Sequence, residues 1–336
     1  MAYNIIVSSN ERYMPGATVA SVSVAVNACP ESDLCFHIFT ENVTNASFEL
    51  LKSSIIKNHQ RSRIVRHEMT DEQLKDLPYW AGSRMAAARC LYAEILDDVD
   101  WSLYLDCDVL YFASIEEHFS HCDDNKMALV IQEQSISTRS AEIEWIQKKC
   151  GKVIADEEYF NSGVILFNLK LMRKESIPSK LIEFFRLNSA IPSPDQDALN
   201  VVMAGRTKIL PPKWNRLQIF LNDAALRERP VIHYVSGIPW SSRLGAVANG
   251  RFRLWHAFAD NYVYGKRNES CKCCFQFKTV FFKRVIAMSL KLPVIGSIVA
   301  AVFEALHLVT NGRKWRETQI QYDVSRHAIQ RILAKG

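Results

Sequence analysis

Short apolar runs alternate with apolar positions at helical spacing along most of the chain, and the alternation predicts a β-α-β succession. Tyr3 to Ser8 reads as a first strand, followed by the polar turn Ser9-Asn10-Glu11-Arg12-Tyr13. A helix is expected from about Pro15 to Ala28, with Pro15 suited to its first turn and Val19, Val22 and Val26 on one face. Leu34 to Thr40 predicts a second strand, Phe48, Leu51 and Ile55 a second helix, and Ile64 to His67 a short third strand. This order implies a parallel, helix-covered sheet with right-handed crossovers.

After a loop at Pro78 to Gly82, a helix from Met85 to Leu96 is expected to carry Arg89, which the flanking alanines mark as a buried guanidinium with a partner. Trp101 to Leu105 then reads as a buried strand that stops at Asp106-Cys107-Asp108 before Val109 to Phe112 resumes the apolar pattern. A strand at Met127 to Ile131 precedes a polar segment that runs to about Glu158. The next strand is introduced by Asn161-Ser162-Gly163, small polar residues that let a ligand approach the backbone. Leu169 to Leu187 predicts a helix broken at Pro178, and an acid, Asp195, opens another helix. Ile209 to Asn215 and Pro230 to Val235 are short strand candidates, the second holding His233.

From Cys271 the pattern changes. Lys278, Lys283, Arg284 and Lys291 interleave with Phe275, Phe277, Phe281 and Phe282, and Leu292 to Leu308 is nearly continuous apolar sequence. Pro293, Gly296, Glu304 and His307 argue against a bilayer span. The favoured reading is a basic amphipathic surface on anionic lipid, with simple helical packing as the alternative. The chain thus divides into a domain at 1–265 and a basic, hydrophobic, membrane-surface region at 266–336.

Composition narrows the classes. With 48% hydrophobic and 23% charged residues the 336-residue chain is that of a folded protein, and a net charge of +5 does not call for a nucleic-acid partner. Nine cysteines, an odd number scattered through apolar segments, favour reduced thiols and a cytoplasmic setting. The start of the sequence lacks a basic n-region and a long apolar h-region, so no secretory signal is expected. The Asp106-Cys107-Asp108 triplet sits where open α/β sheets bind ligands, and two acids one residue apart can share a hard divalent cation.

Several segments together resemble glycosyltransferase family 8, the retaining, sugar-nucleotide-dependent enzymes that include lipopolysaccharide galactosyl- and glucosyltransferases and glycogenin. They are Tyr104 to Leu110, Tyr159 to Val164, Asp195 to Asn200, Trp214-Asn215, and His233-Tyr234 with Gly237 and Pro239-Trp240. The resemblance spans about residues 1 to 260 and implies a GT-A type, Rossmann-like mixed sheet flanked by helices. It further implies that Asp106, Asp108 and His233 bind Mn²⁺ (or Mg²⁺) bridging the donor diphosphate, and that Asn10 and Tyr13 hold the uridine. Arg89, Asp106, Asn161, Asp195 and Gly237 would contact the donor, and Gln196 would lie on the β face of its anomeric carbon. Gln132 stands where an acid is frequent. The family's closing motif carries a lysine that this chain lacks, for which Arg243 is a candidate replacement.

The implied activity is metal-dependent retaining transfer of galactose or glucose from a UDP-hexose to a saccharide or glycolipid acceptor such as lipopolysaccharide, at the cytoplasmic membrane face. Two alternatives are a non-catalytic saccharide-binding protein that kept the fold and a sugar-nucleotide pyrophosphorylase. The turn from Ser8 to Tyr13 has no glycine to cradle a phosphate, which counts against the pyrophosphorylase.

Overall fold

A computed structural model describes residues 2–240, apart from 81, 189 and 236, together with 252–264. Met1–Trp240 forms one compact unit. The helix Arg253–Tyr262 belongs to the other, and the region from Cys271 onward lies outside the described residues.

The large sheet has the order β3-β2-β1-β4-β7-β6-β8. Strands β1 (Tyr3–Asn10), β2 (Leu34–Glu41), β3 (Arg63–Glu68) and β4 (Trp101–Leu105) are mutually parallel, as the β-α-β pattern implies. Strand β7 (Phe160–Asn168) runs antiparallel to both β4 and β6 (Ala128–Gln132), and β8 (Thr207–Ile209) pairs in parallel with β6. The sheet is therefore mixed. A second sheet, ordered β5-β10-β9, comprises β5 (Val109–Tyr111), β9 (Arg216–Leu217) and β10 (Val231–His233).

The helix Met14–Asn27 starts with Pro15 in its first turn, and Asn45–Asn58 starts at Thr44, whose hydroxyl accepts from Ser47 N at 3.2 Å. Four local expectations are corrected. The polar segment before Glu158 holds a helix, Ile136–Cys150, capped by Ser135 and ended by Gly151 at φ +62°. Only Glu142 and Ile146 of it are fully buried, so its apolar stripe is too thin to stand out. The stretch from Met85 to Leu96 is not one helix but a 3₁₀ turn, Ala87–Cys90, and a short helix, Tyr92–Ile95. Side chains take the carbonyls a helix would use: Ser8 Oγ donates to Met85 O at 3.1 Å and Arg89 Nε to Ala86 O at 2.7 Å. The break expected at Pro178 falls just before it, since Pro178 sits in the first turn of Ile177–Leu187. The strand expected at Ile209 to Asn215 is cut short, because Pro211 leads into a 3₁₀ turn at Pro212–Asn215.

This topology fixes where a site can form. Strands β1 and β4 are neighbours, while the chain leaves β1 toward β2 and β3, so a crevice opens at their carboxyl ends between Asn10 and Asp106.

Candidate active site

The Asp106-Cys107-Asp108 triplet is the bridge from β4 in the large sheet to β5 in the small one. Between the acids, Cys107 turns inward and donates Sγ–H to Ser8 O at 3.1 Å, which anchors the bridge to β1. The small sheet then brings in the histidine. Strand β10 pairs antiparallel with β5 in the register His233↔Val109, and Tyr234 N donates to Asp108 O at 2.9 Å. His233 Nε2 consequently lies 3.3 Å from Asp108 Oδ1 and 3.7 Å from Asp106 Oδ2. Ligand atoms of the three residues lie within 4.8 Å of one another.

This donor set fits a divalent cation. Two carboxylates and an imidazole supply the mixed oxygen and nitrogen ligation that suits Mn²⁺ or Mg²⁺ better than a thiolate-preferring ion. His233 is buried, and its Nδ1 faces Asn215 Oδ1 at 3.1 Å, which leaves Nε2 toward the acids. Burial works against its charge, and the facing Asp108 and Asp106 carboxylates outweigh that and hold its pKa above the ordinary value.

Gly163 explains how the ring can sit there. A Cβ at 163 would lie 2.2 Å from His233 Cε1 and 2.6 Å from Nδ1, so the glycine makes room for the imidazole. The small residues at the start of β7 were expected to admit a ligand to the backbone; at Gly163 the group admitted is the protein's own histidine.

Arg89 is the hub beside the acids, only 2% exposed. Its Nη2 donates at 2.8 Å to both Asp106 Oδ1 and Tyr104 OH, and its Nε lies 3.3 Å from Asp195 Oδ2. Nη1 donates to Ser162 O, the guanidinium lies over the Tyr104 ring, and Tyr104 OH also donates to Asp106 Oδ1. The predicted buried, partnered guanidinium is thus present, carried on a 3₁₀ turn. Burial pushes the Asp195 carboxyl above its ordinary range, Arg89 opposes this, and Asp106 adds to it.

Gln196 is held at both ends. Its Oε1 accepts from Ser162 N at 3.0 Å and its Nε2 donates to Tyr159 OH at 3.1 Å. Asn10 caps the turn Glu11–Tyr13, its Oδ1 accepting from Tyr13 N at 3.3 Å. The ring of Tyr13 meets Trp240 edge-on, centroids 5.6 Å apart, and Trp240 Nε1 donates to Arg12 O at 2.9 Å. Residue 16 must be glycine there, since a Cβ would lie 2.3 Å from the Trp240 ring and 2.6 Å from Cys107 O. The closing motif is thereby tied to the turn after β1. Gly237 is exposed at φ +143°, a conformation that favours glycine.

Asn10, Tyr13, Arg89, Asp106, Asp108, Asp195 and Gln196 line one cleft of about 290 Å³, near the lower end for small-molecule sites. Asn161 is placed differently. Its Nδ2 donates to Glu133 Oε2 at 2.8 Å, and its Oδ1 accepts from Asn215 Nδ2 at 2.8 Å and Gly163 N at 3.0 Å. The amide is spent inside the protein, and Ser162 lines the cleft instead. Gln132 donates to Asp156 O at 3.1 Å, and the acid at this edge is the next residue, the buried Glu133. Arg243 lies outside the described residues.

Sequence reasoning gave no role to Glu133, Asn215, Tyr159, Asp197 or Asn200. Tyr159 OH donates to Asp197 Oδ1 at 2.7 Å, and Asn200 pairs with both Phe160 N and Phe160 O at 2.9 Å, clamping the helix Pro194–Val202 to the start of β7. The available signal was position, since all but Glu133 fall inside the segments carrying the family resemblance.

The sheet order, the crevice and the acid-lined cleft define an α/β domain of the GT-A glycosyltransferase type. Residues 4–243 match the model of glycosyl transferase family 8, and the chain belongs to that family. The lipopolysaccharide 1,3-galactosyltransferase of Salmonella typhimurium is 28% identical over 257 residues, 71% of this chain and 73% of that protein. A lipopolysaccharide 1,2-glucosyltransferase of Escherichia coli is 28% identical over 222 residues, 63% of this chain and 62% of that protein. Among solved structures, the galactosyltransferase LgtC in complex with donor and acceptor sugar analogues superposes with a TM-score of 0.60 at 22% identity, covering 77% of this chain and 96% of that one, a likeness of fold.

Proposed function

We propose that this glycosyltransferase moves galactose or glucose from a UDP-hexose to a saccharide or glycolipid acceptor of the lipopolysaccharide type, with retention and with a divalent metal. The observation that carries the reading is the convergence of Asp106, Asp108 and His233 at the edge of a cleft also lined by Arg89, Asp195 and Gln196. The acceptor class rests on the lipopolysaccharide hexosyltransferases to which the chain is similar.

Asp106, Asp108 and His233 would hold Mn²⁺ or Mg²⁺, which when bound neutralises the charge that develops on a departing diphosphate. Tyr13, steadied by Trp240, would stack on the uracil, with Asn10 shaping the turn beside it. Gly237 offers exposed backbone for close approach of the donor. Arg89 holds Asp106 and Asp195 in position, leaving Asp195 to accept from a donor hydroxyl. An amide is a poor nucleophile, and Gln196, fixed by Ser162 N and Tyr159 OH, steadies positive charge at the anomeric carbon while the acceptor attacks from the face the diphosphate leaves. Retention follows from that same-face attack.

The test is Mn²⁺-stimulated UDP release across a panel of UDP-hexoses. Asp108→Ala should abolish it; full activity in a folded variant refutes the metal dependence. The basic, aromatic stretch from Cys271 supports a second proposal, that the protein sits on the cytoplasmic membrane face. Deleting residues 271–336 should release it from anionic vesicles while donor hydrolysis persists, and unchanged vesicle binding refutes this.

A further inference from the structure

His233 ends a chain of buried side chains that begins just past β6 in the large sheet. Glu133, next after β6, accepts from Ser135 N at 2.8 Å with Oε1 and from Asn161 Nδ2 at 2.8 Å with Oε2. Asn161 Oδ1 accepts from Asn215 Nδ2 at 2.8 Å, and Asn215 Oδ1 faces His233 Nδ1 at 3.1 Å. Glu133, Asn161, Asn215 and His233 are 3%, 6%, 0% and 4% exposed, so water has little access to break the sequence of bonds.

The chain has a direction because its first member can only accept. A carboxylate offers no proton, so Asn161 must turn its nitrogen to Glu133 and its oxygen to Asn215. Gly163 N, donating to that same oxygen at 3.0 Å, favours the same orientation. Asn215 must then present nitrogen to Asn161 and oxygen to His233, which leaves Nδ1 as the ring atom that carries the proton. When the ring becomes neutral, the proton it gives up is the one at Nε2, whose lone pair then faces Asp106 and Asp108, the tautomer a metal ligand requires.

We propose that Glu133 is a positioning residue that sets the tautomer of His233 through Asn161 and Asn215. This rests on the metal reading above but makes its own demand on the free protein. Glu133→Gln puts a donor where only an acceptor stood. If Asn161 flips to meet it, Asn215 flips in turn and aims its nitrogen at His233 Nδ1, which drives the proton to Nε2. Asn215→Asp added to that variant accepts from both neighbours, so it accommodates the flipped Asn161 and again accepts from Nδ1–H.

The experiment uses the full chain with histidine side chains labelled, His233 assigned by a His233→Asn variant, and long-range proton–nitrogen correlation at alkaline pH without metal. Free Mn²⁺ is then counted by electron paramagnetic resonance to give its affinity. The wild type should show the Nδ1–H form; E133Q should shift toward Nε2–H and bind Mn²⁺ about tenfold more weakly. The E133Q/N215D pair should regain Nδ1–H and recover most of the lost affinity. A wild type in the Nε2–H form overturns the proposal without any variant, as does E133Q with tautomer and affinity unchanged, or a double variant no better than E133Q. Should the wild type bind no Mn²⁺, the metal reading fails, while the tautomer of the free protein still decides the role of Glu133.

Discussion

The imidazole of His233 fills the space a side chain at Gly163 would need, with 2.2 Å between His233 Cε1 and the position of a Cβ on Gly163. Gly163→Ala should therefore displace the ring from Asp106 and Asp108. UDP release in the presence of Mn²⁺ is expected to fall by about ten- to a hundredfold, as when a metal ligand loses its support. Circular dichroism should show the fold retained, and wild-type activity in this variant would mean the ring has another seat.

Arg89 satisfies Asp106, Asp195, Tyr104 and two backbone carbonyls from a buried position. Arg89→Met keeps volume but strands the Asp195 carboxylate, which is 11% exposed in its side chain. A loss of about 3 kcal/mol in urea unfolding is expected, together with loss of turnover. A variant as stable as the wild type would show that the two acids manage without the guanidinium.

Asp197 and Glu142 face each other below the cleft, where Ser193 Oγ donates to Glu142 Oε1 at 2.8 Å and Ser193 N to Asp197 Oδ2 at 3.0 Å. Burial raises the Asp197 carboxyl from 3.8 to about 7, Tyr159 OH opposes this, and the Glu142 carboxylate adds to it. Above the ordinary carboxyl range the unfolded chain has lost this proton and the folded one keeps it. Stability from this group is thus fully present below about pH 3.8 and is lost as pH rises through about 7. Glu142→Gln retains the Ser193 bond and offers Asp197 a donor in place of a second charge. The variant should be more stable than wild type at pH 8, by about 2 kcal/mol, with a flatter pH profile from thermal unfolding. Equal pH slopes in the two proteins would mean that the carboxylates do not sense each other.

Asn200 stands in for a neighbouring strand by pairing with both backbone polar groups of Phe160. Asn200→Leu leaves that N–H and C=O buried without partners, and a loss of about 3 kcal/mol is expected. Since Gln196 lies one turn earlier on the same helix, turnover should fall further than Mn²⁺ binding does, read from kcat and from metal titration. A change in metal affinity alone would place the effect elsewhere.

The strands of the sheet centre were legible because β1, β2, β4 and β7 each hold a short run of large apolar residues bounded by polar ones. The acids at the end of β4 and the histidine in β10 could be picked out by residue type and position. Their meeting depends on the ladder of β10 with β5, a pairing of three-residue strands that no local pattern announces. The helix Ile136–Cys150 was hidden by its mostly polar surface, although Ser135 and Gly151 marked its two ends. Glu133 and Asn215 were illegible for a different reason. Their importance lies in which atom of a neighbour each must face, and that exists only once β6, β7, β10 and the turn Pro212–Asn215 have come together.

Asp106 leaves the last residue of β4 and His233 belongs to β10, so the three-residue bridge at 106–108 spans a seam between two sheets. A cation gripped there would act as a rivet between the two sheets, which pair no strands with each other. Adding Mn²⁺ should slow amide exchange across β5 and β10 even without a sugar nucleotide, so that occupancy by the ion and rigidity of the small sheet rise and fall as one quantity.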